Sequence, residues 1–115
     1  MAKPLPAFIA HVLDLLAPLG AVRARAMFGG WGIYLDDRMF ALIAYEELYF
    51  KADVQTADRF AAAGSTPFVY EGKGKPVQMP YWRCPEAAMD DPEAFLAFAR
   101  LGLEAAARAK PARSK

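Results

Sequence analysis

The chain of 115 residues suits a single domain, which at this length buries roughly 65% of the surface that its unfolded chain exposes. Hydrophobic residues at 56% and aromatic residues at 13% exclude an intrinsically disordered chain. A net charge of +1 excludes a strong overall attraction to nucleic acid or to an anionic membrane.

The cysteine count and the apolar runs indicate a cytoplasmic protein. Cys84 is the one cysteine, so an internal disulfide is impossible and the chain fits a reducing compartment. The first residues do not build the apolar core of a signal peptide, and no apolar run approaches the length of a membrane span. We therefore expect a cytoplasmic location and no membrane partner.

The first elements in chain order are a helix and a strand. Apolar residues recur at spacings of three and four over residues 5–19, which predicts an amphipathic helix. Residues 22–28 alternate instead, so they indicate a half-buried strand with Arg23 and Arg25 on its outward face.

A β-hairpin over residues 31–43 is the centre of the predicted sheet. Asp36 and Asp37 interrupt two apolar runs and suit a tight turn, since aspartate tolerates positive φ. Gly29, Gly30 and Gly32 precede or begin the first run. Glycines in a strand indicate a bulge, a bend or the close approach of another backbone.

The second half of the chain continues with short elements. Residues 46–47 are a predicted turn and residues 48–51 a fourth strand. Asp53 suits the cap of a helix that reaches about residue 63, where Gly64 ends it. Strands follow over 67–70 and 77–83, and Pro80 makes the second of these an edge or bulged strand. The last helix begins after Asp90 and Asp91, which supply a cap.

These elements predict an α+β fold in the order α-β-β-β-β-α-β-β-α. The strands form one antiparallel sheet of about six strands with the helices packed on one face. Residues 1–109 are predicted to form the single domain, and residues 110–115 a flexible basic tail.

Catalytic and metal-binding patterns are absent from the sequence. One histidine and one cysteine, His11 and Cys84, lie near opposite ends of the chain without a third orienting group, which disfavours a nucleophilic thiol. The same shortage of ligands disfavours a metal site. The stretch from Gly72 to Lys75 lacks the spacing of a phosphate-binding loop and suits a solvated hairpin loop. We expect no enzyme activity and no cofactor.

Aromatic and basic residues alternate along the predicted strands and form the candidate interaction surface. Such a surface can stack bases and hold phosphates, but the same rings can instead fill a core or a subunit interface, which the near-zero net charge favours. The candidate residues are Arg23, Arg25, Trp31, Tyr34, Lys73, Lys75, Trp82 and Arg83.

An ordered set of short motifs resembles the TfoX N-terminal domain family over about residues 5–108. The set comprises the glycine-rich stretch, the apolar run after the turn, and two later groups ending in tyrosines. Its members are Met27, Phe28, Gly29, Gly30, Gly32, Phe40, Lys51, Gly64, Phe68, Tyr70 and Tyr81.

The resemblance implies a regulatory role and names no catalytic residue. The family takes its name from a bacterial regulator of natural competence genes, and its domain is similar in fold to secretion-chaperone-like proteins. Two departures are visible: the hairpin turn is Asp36–Asp37 where the family commonly has Asp-Gly, and the chain has no room for the C-terminal helical domain of the full-length regulators. The resemblance therefore implies a stand-alone domain.

We therefore expect a non-enzymatic regulatory or protein-interaction domain with an unidentified protein partner. The alternative is a nucleic-acid-binding module that uses the basic and aromatic face of the sheet. We also expect a homodimer, because residues 77–83 combine a predicted edge with large aromatic residues, and such dimers are frequent among the secretion-chaperone-like folds. Trp82 or Trp31 would be buried between the two copies.

Overall fold

The computed structural model describes residues 6–27, 30–72 and 74–109, and it contains the predicted elements in the predicted order. A short helix before the last one is an addition. The elements are α1 (Ala7–Leu16), a 3-10 turn (Ala17–Leu19), β1 (Arg23–Met27), β2 (Gly30–Leu35), β3 (Arg38–Ala44), β4 (Glu47–Lys51), α2 (Ala57–Ala62), β5 (Pro67–Gly72), β6 (Lys75–Arg83), α3 (Glu86–Met89) and α4 (Pro92–Arg108).

The six strands form one antiparallel sheet in the order β1-β2-β3-β4-β6-β5, which confirms the predicted fold class. Strands β1 and β5 are its edges. The predicted edge position of residues 77–83 is wrong, because β6 pairs with β4 on one side and β5 on the other.

Pro80 lies inside the sheet at a position just past the end of β4, which ends at Lys51. Its carbonyl accepts a hydrogen bond from the Ala52 N–H at 3.0 Å, and the N–H that proline lacks would face the same neighbour. On the other side, Pro67 pairs with Trp82 and Val69 with Gln78, so β6 has two more residues than β5 between these pairs. The interpretation of a bulged strand is therefore correct.

All four helices pack on one face of the sheet and enclose the core. Helix α4 lies across β3 and β4, and it contacts α1 and α3. Helix α2 belongs to the same layer, because Phe60 packs against Phe98 of α4 with ring centroids 5.2 Å apart. The largest fully buried side chains are Phe40, Phe50, Phe60, Phe95, Leu16, Ile33, Val12 and Thr56. No helix of the described residues is long and apolar enough to cross a membrane.

Two tight turns fix the register of the central strands. Asp36 and Asp37 have φ values of 54° and 66°, the left-handed pair of a type I′ hairpin turn, as the sequence predicts. The next hairpin turns at Tyr45 and Glu46, with φ values of 54° and 60°, one residue before the predicted position. Glu47 is instead the first residue of β4 and pairs with Ala44.

Gly30 and Gly32 lie where other atoms approach the backbone closely. A Cβ on Gly30 would collide with the carbonyl oxygen of Ile43, and a Cβ on Gly32 would stand 2.8 Å from the Met27 sulfur. The bulge lies farther along the hairpin: Ile33 pairs with Ala41 and Tyr34 with Met39, so the buried Phe40 is the extra residue. Close approach is thus the correct reading of these glycines.

Polar contacts fix both ends of α4. The Asp91 side chain accepts hydrogen bonds from the N–H groups of Glu93 and Ala94, which confirms the predicted cap. At the other end, Arg38 donates to the Ala106 carbonyl at 3.1 Å. Arg108 forms a two-pronged ion pair with Asp53, at 2.7 Å from Nε to Oδ2 and 3.1 Å from Nη2 to Oδ1.

Candidate interaction surface on the open face of the sheet

The face of the sheet opposite the helices, named here the open face, carries apolar, tyrosine and basic side chains. Residues paired across antiparallel strands share a face, so the register assigns each side chain to one side. The residues assigned to the open face are Arg23, Arg25, Met27, Gly30, Gly32, Tyr34, Met39, Leu42, Ala44, Glu47, Tyr49, Lys51, Tyr81 and Arg83. None of the described helices packs against it.

An apolar depression of about 410 Å³ lies on the open face. Met27, Leu42, Phe68 and Met79 supply the apolar side chains of its wall. The Phe68 ring also packs against Tyr49, with centroids 4.8 Å apart. Its remaining wall comes from the ends of β2 and β3, namely Gly30, Trp31, Ile43 and Ala44.

Two cations of the open face lie over tyrosine rings. Arg25 lies 5.8 Å from the centroid of Tyr34, and Lys51 lies 5.1 Å from the centroid of Tyr81. Tyr81 itself is only 7% exposed, and burial raises its pKa to about 12. The two tyrosine rings therefore form cation–π contacts with the charged groups that lie over them.

The other two arginines of the open face have carboxylate neighbours. Arg83 lies 2.9 Å from Glu47 and Arg23 lies 3.6 Å from Asp37, and both pairs are solvent-exposed. Among the described ion pairs, none involves Arg25 or Lys51. The open face consequently carries a local excess of positive charge.

The candidate residues from the sequence divide between the two faces. Arg23, Arg25, Tyr34 and Arg83 come together on the open face, whereas Trp31 and Trp82 lie on the helix side and pack against the core. Trp82 stacks on Phe60 with centroids 6.4 Å apart. Lys75 is exposed at the start of β6, and Lys73 lies outside the described residues.

Several open-face residues were not among the candidates. Neither charge nor an aromatic ring distinguishes Met39, Leu42 and Met79 in the sequence, and only the structure shows that they share a face with Arg25. The alternation of strand residues is the signal that indicates this face, once the order of the strands is known.

The family motif residues form the frame of the domain. Gly30 and Gly32 permit close packing, Phe40 fills the core, and Gly64 ends α2 with a φ of 85°. Phe68, Lys51 and Tyr81 belong to the open face or its depression. Phe28, Gly29 and the side chain of Tyr70 lie outside the described residues, as does the predicted tail over residues 110–115.

The thiol and the imidazole lie in different surroundings. Cys84 follows β6, is 4% exposed, and burial raises its pKa to about 12. A cavity of about 200 Å³ lies beside it, but His11 is an exposed residue of α1 and does not line that cavity. Among the described residues, no three His, Cys, Asp or Glu side chains come close enough to hold a metal ion.

Comparison with known proteins agrees with the motif set. Residues 14–106 match the family described as TfoX N-terminal domain. The chain is also similar to Protein Sxy of Escherichia coli (strain K12), with 28% identity over 101 residues that cover 88% of this chain and 48% of that protein. The chain thus spans about half the length of this curated relative. Since the match covers most of the fold, the chain belongs to the TfoX N-terminal domain family.

Proposed function

We propose that this chain is a non-enzymatic regulatory domain that acts in the cytoplasm by binding a protein partner through the open face. The observation that carries the proposal is the open face itself. It combines an apolar depression of about 410 Å³ with positive charge on a face that no described helix covers. A large apolar patch with a charged rim is typical of a protein-binding surface.

The absence of a catalytic set among the described residues supports a non-enzymatic role. A nucleophile needs a base within hydrogen-bond reach, and the buried Cys84 thiol has a raised pKa and no imidazole at its cavity. The depression on the open face is lined by apolar side chains and backbone, with no titratable group. Such a lining can hold apolar groups but cannot transfer a proton.

The family supports a role in gene regulation, as implied by the competence regulators that gave the family its name. The curated relative is about twice as long as this chain. For this chain we therefore propose, rather than observe, the regulatory activity of such longer proteins.

A rescue experiment in the native host tests the proposed function. A strain that lacks the gene is compared with the parent by transcript profiling, and the wild-type chain should restore the altered transcripts. The double variant Arg25→Glu/Lys51→Glu should fail to restore them, while Arg100→Glu on the exposed side of α4 should succeed. Unchanged transcripts in the deletion strain would contradict a regulatory role, and full rescue by the double variant would contradict the open face.

Nucleic-acid binding is the second candidate function, favoured by the positive charge of Arg25 and Lys51 on the open face. A salt titration of binding to single-stranded and duplex DNA tests it, because phosphate contacts give a steep dependence of affinity on salt.

A further inference from the structure

We propose that the open face binds a short protein segment with apolar side chains and a net negative charge. This inference rests on the proposed function and specifies the chemistry of the partner. Three properties of the open face determine what it can bind: the size and composition of its depression, the distribution of charge, and the cations that cover the tyrosine rings.

The depression is large enough for apolar side chains of a partner. Its volume of about 410 Å³ lies within the range of pockets that hold ligands. Met27 and Met79 contribute flexible thioether side chains to its wall, and Leu42 and Phe68 supply more rigid ones. Methionine adapts to side chains of different shape, which suits the recognition of a peptide through one or two apolar anchors.

The positive charge around the depression favours an acidic partner. Arg23 and Arg83 are neutralised by Asp37 and Glu47, so Arg25 and Lys51 remain as a positive excess on the open face. Most exposed carboxylates instead belong to the helices and their caps: Asp14, Asp58, Glu86, Asp90, Asp91, Glu93 and Glu104. The molecule is therefore positive on the open face although its total charge is only +1.

The same features argue against two other occupants. A second copy placed face to face would bring Arg25 and Lys51 near their own counterparts, which like-charge repulsion opposes. A single-stranded nucleic acid would need free ring faces for base stacking. Tyr81 is 7% exposed with Lys51 over its ring, and Arg25 lies over Tyr34.

Fluorescence anisotropy with designed peptides tests the proposal. Two fluorescein-labelled probes of about twelve residues carry Leu, Phe and Glu, one in alternating order and one at helical spacing, so that no partner conformation is assumed. Matched probes carry Lys in place of Glu. We expect at least one acidic probe to bind with a micromolar dissociation constant, and its basic counterpart to bind at least about tenfold more weakly.

Variants identify the surface that binds. Arg25→Gln/Lys51→Gln should weaken the binding of the acidic probe about tenfold, while Arg100→Gln should leave it unchanged. Leu42→Gln should weaken it independently of charge, and equal thermal melting of the variants and the wild type excludes unfolding as the cause. These readouts are independent of transcription, so a failed rescue in the host leaves them unaffected.

Three results would overturn the proposal. The first is no binding of either acidic probe at about 1 mM, which corresponds to less than about 4 kcal/mol of binding free energy. The second is equal weakening by Arg100→Gln. The third is tighter binding of an oligothymidine than of the acidic probes, which would assign the open face to nucleic acid.

Discussion

Gly30 and Gly32 both belong to β2, yet the atoms around them leave different amounts of room for a side chain. A methyl group on Gly30 would meet the backbone carbonyl of Ile43, which cannot move without disturbing β3. On Gly32 it would meet only side-chain atoms, namely the Met27 sulfur at 2.8 Å, a ring carbon of Tyr34 at 3.0 Å and the Met39 sulfur at 3.1 Å, and the two methionines can move aside more easily than a backbone carbonyl can. We therefore expect a side chain at Gly30 to lower the stability more than a side chain at Gly32.

We expect Gly30→Ala to lower the free energy of unfolding by about 2–3 kcal/mol and Gly32→Ala by about 1 kcal/mol or less. Urea denaturation of the two variants and the wild type measures both values. A larger loss for Gly32→Ala, or no loss for Gly30→Ala, would contradict the close approach of Ile43.

Asp53, in the loop before α2, forms an ion pair with Arg108 at the end of α4. Its carboxylate accepts hydrogen bonds from Arg108 and from the N–H groups of Gln55 and Thr56, at 3.0 and 3.2 Å for the two N–H groups. The Arg108 hydrogen bond, with smaller contributions from the Gln55 N–H, the charge of Arg108 and the Thr56 N–H, lowers the pKa of Asp53 below its ordinary value of 3.8, although burial acts in the opposite direction.

The lowered pKa predicts how Asp53→Asn changes stability with pH. The unfolded chain takes up the proton first as pH falls, so the stability from ionised Asp53 is complete above pH 3.8 and disappears as pH falls through the lower folded-state pKa. Wild type should therefore exceed Asp53→Asn in stability at neutral pH, with a gap that narrows below pH 3.8. Urea unfolding at several pH values measures the gap, with Asp58→Asn as the exposed control. A gap that does not depend on pH would contradict the role of ionised Asp53.

Among the elements, α4 contains a glycine at a point where the helix lies close to the sheet. Gly102 lies within α4, where an added Cβ would stand 2.9 Å from the Phe40 carbonyl oxygen and 3.3 Å from the Phe50 Cβ. The periodicity of α4 predicts its buried face, but it gives no sign that the helix touches the backbone of β3. That contact depends on which strands lie beneath the helix.

Gly102→Ala should destabilise the domain even though alanine favours a helix by about 1 kcal/mol over glycine. The added methyl group must push α4 away from β3, a cost of about 2–3 kcal/mol that exceeds the propensity gain. Ala97→Gly, at an exposed position of the same helix, measures the propensity effect alone. If Gly102→Ala instead raised the free energy of unfolding by about 1 kcal/mol, the contact with β3 would be contradicted.

Strand β6 shows what the sequence predicts of an element and what it does not. Pro80 indicates that one ladder position lacks a donor, and that position lies past the end of β4, beside Ala52. The sequence cannot tell whether such a position lies on an outer edge of the sheet or beyond the end of a neighbouring strand, because proline removes the same hydrogen bond in both cases. In the structure β6 lies inside the sheet, and Trp82 packs against Phe60 of the core.

At the scale of the whole molecule, the class of fold follows from the sequence and the position of the surface does not. Periodicity and caps such as Asp91 predict the elements, because they depend on local chemistry. The open face requires the order of the strands, which is set by contacts far apart in the chain. Arg25 and Lys51 are 26 positions apart in the printed sequence and occupy the same face only because β1 to β4 pair in succession.

The homodimer through Trp82 or Trp31 stays a prediction, although its premise of an edge strand is wrong. Both tryptophans pack partly against the core, so their substitution would change the stability of the monomer as well as any interface. Light scattering at micromolar concentration measures the state directly, and a mass near 12.6 kDa would contradict the dimer.

If the open face is the interaction surface, the methionine methyl groups report on binding directly. Met27, Met39 and Met79 belong to the open face or its depression, whereas Met89 lies on α3, on the helix side. Methyl NMR of the protein with 13C-labelled methionine, titrated with the acidic apolar probe peptide, compares the two sides in one sample. We expect the resonances of Met27, Met39 and Met79 to shift while that of Met89 stays in place. A shift of Met89 without shifts of the other three would contradict binding at the open face.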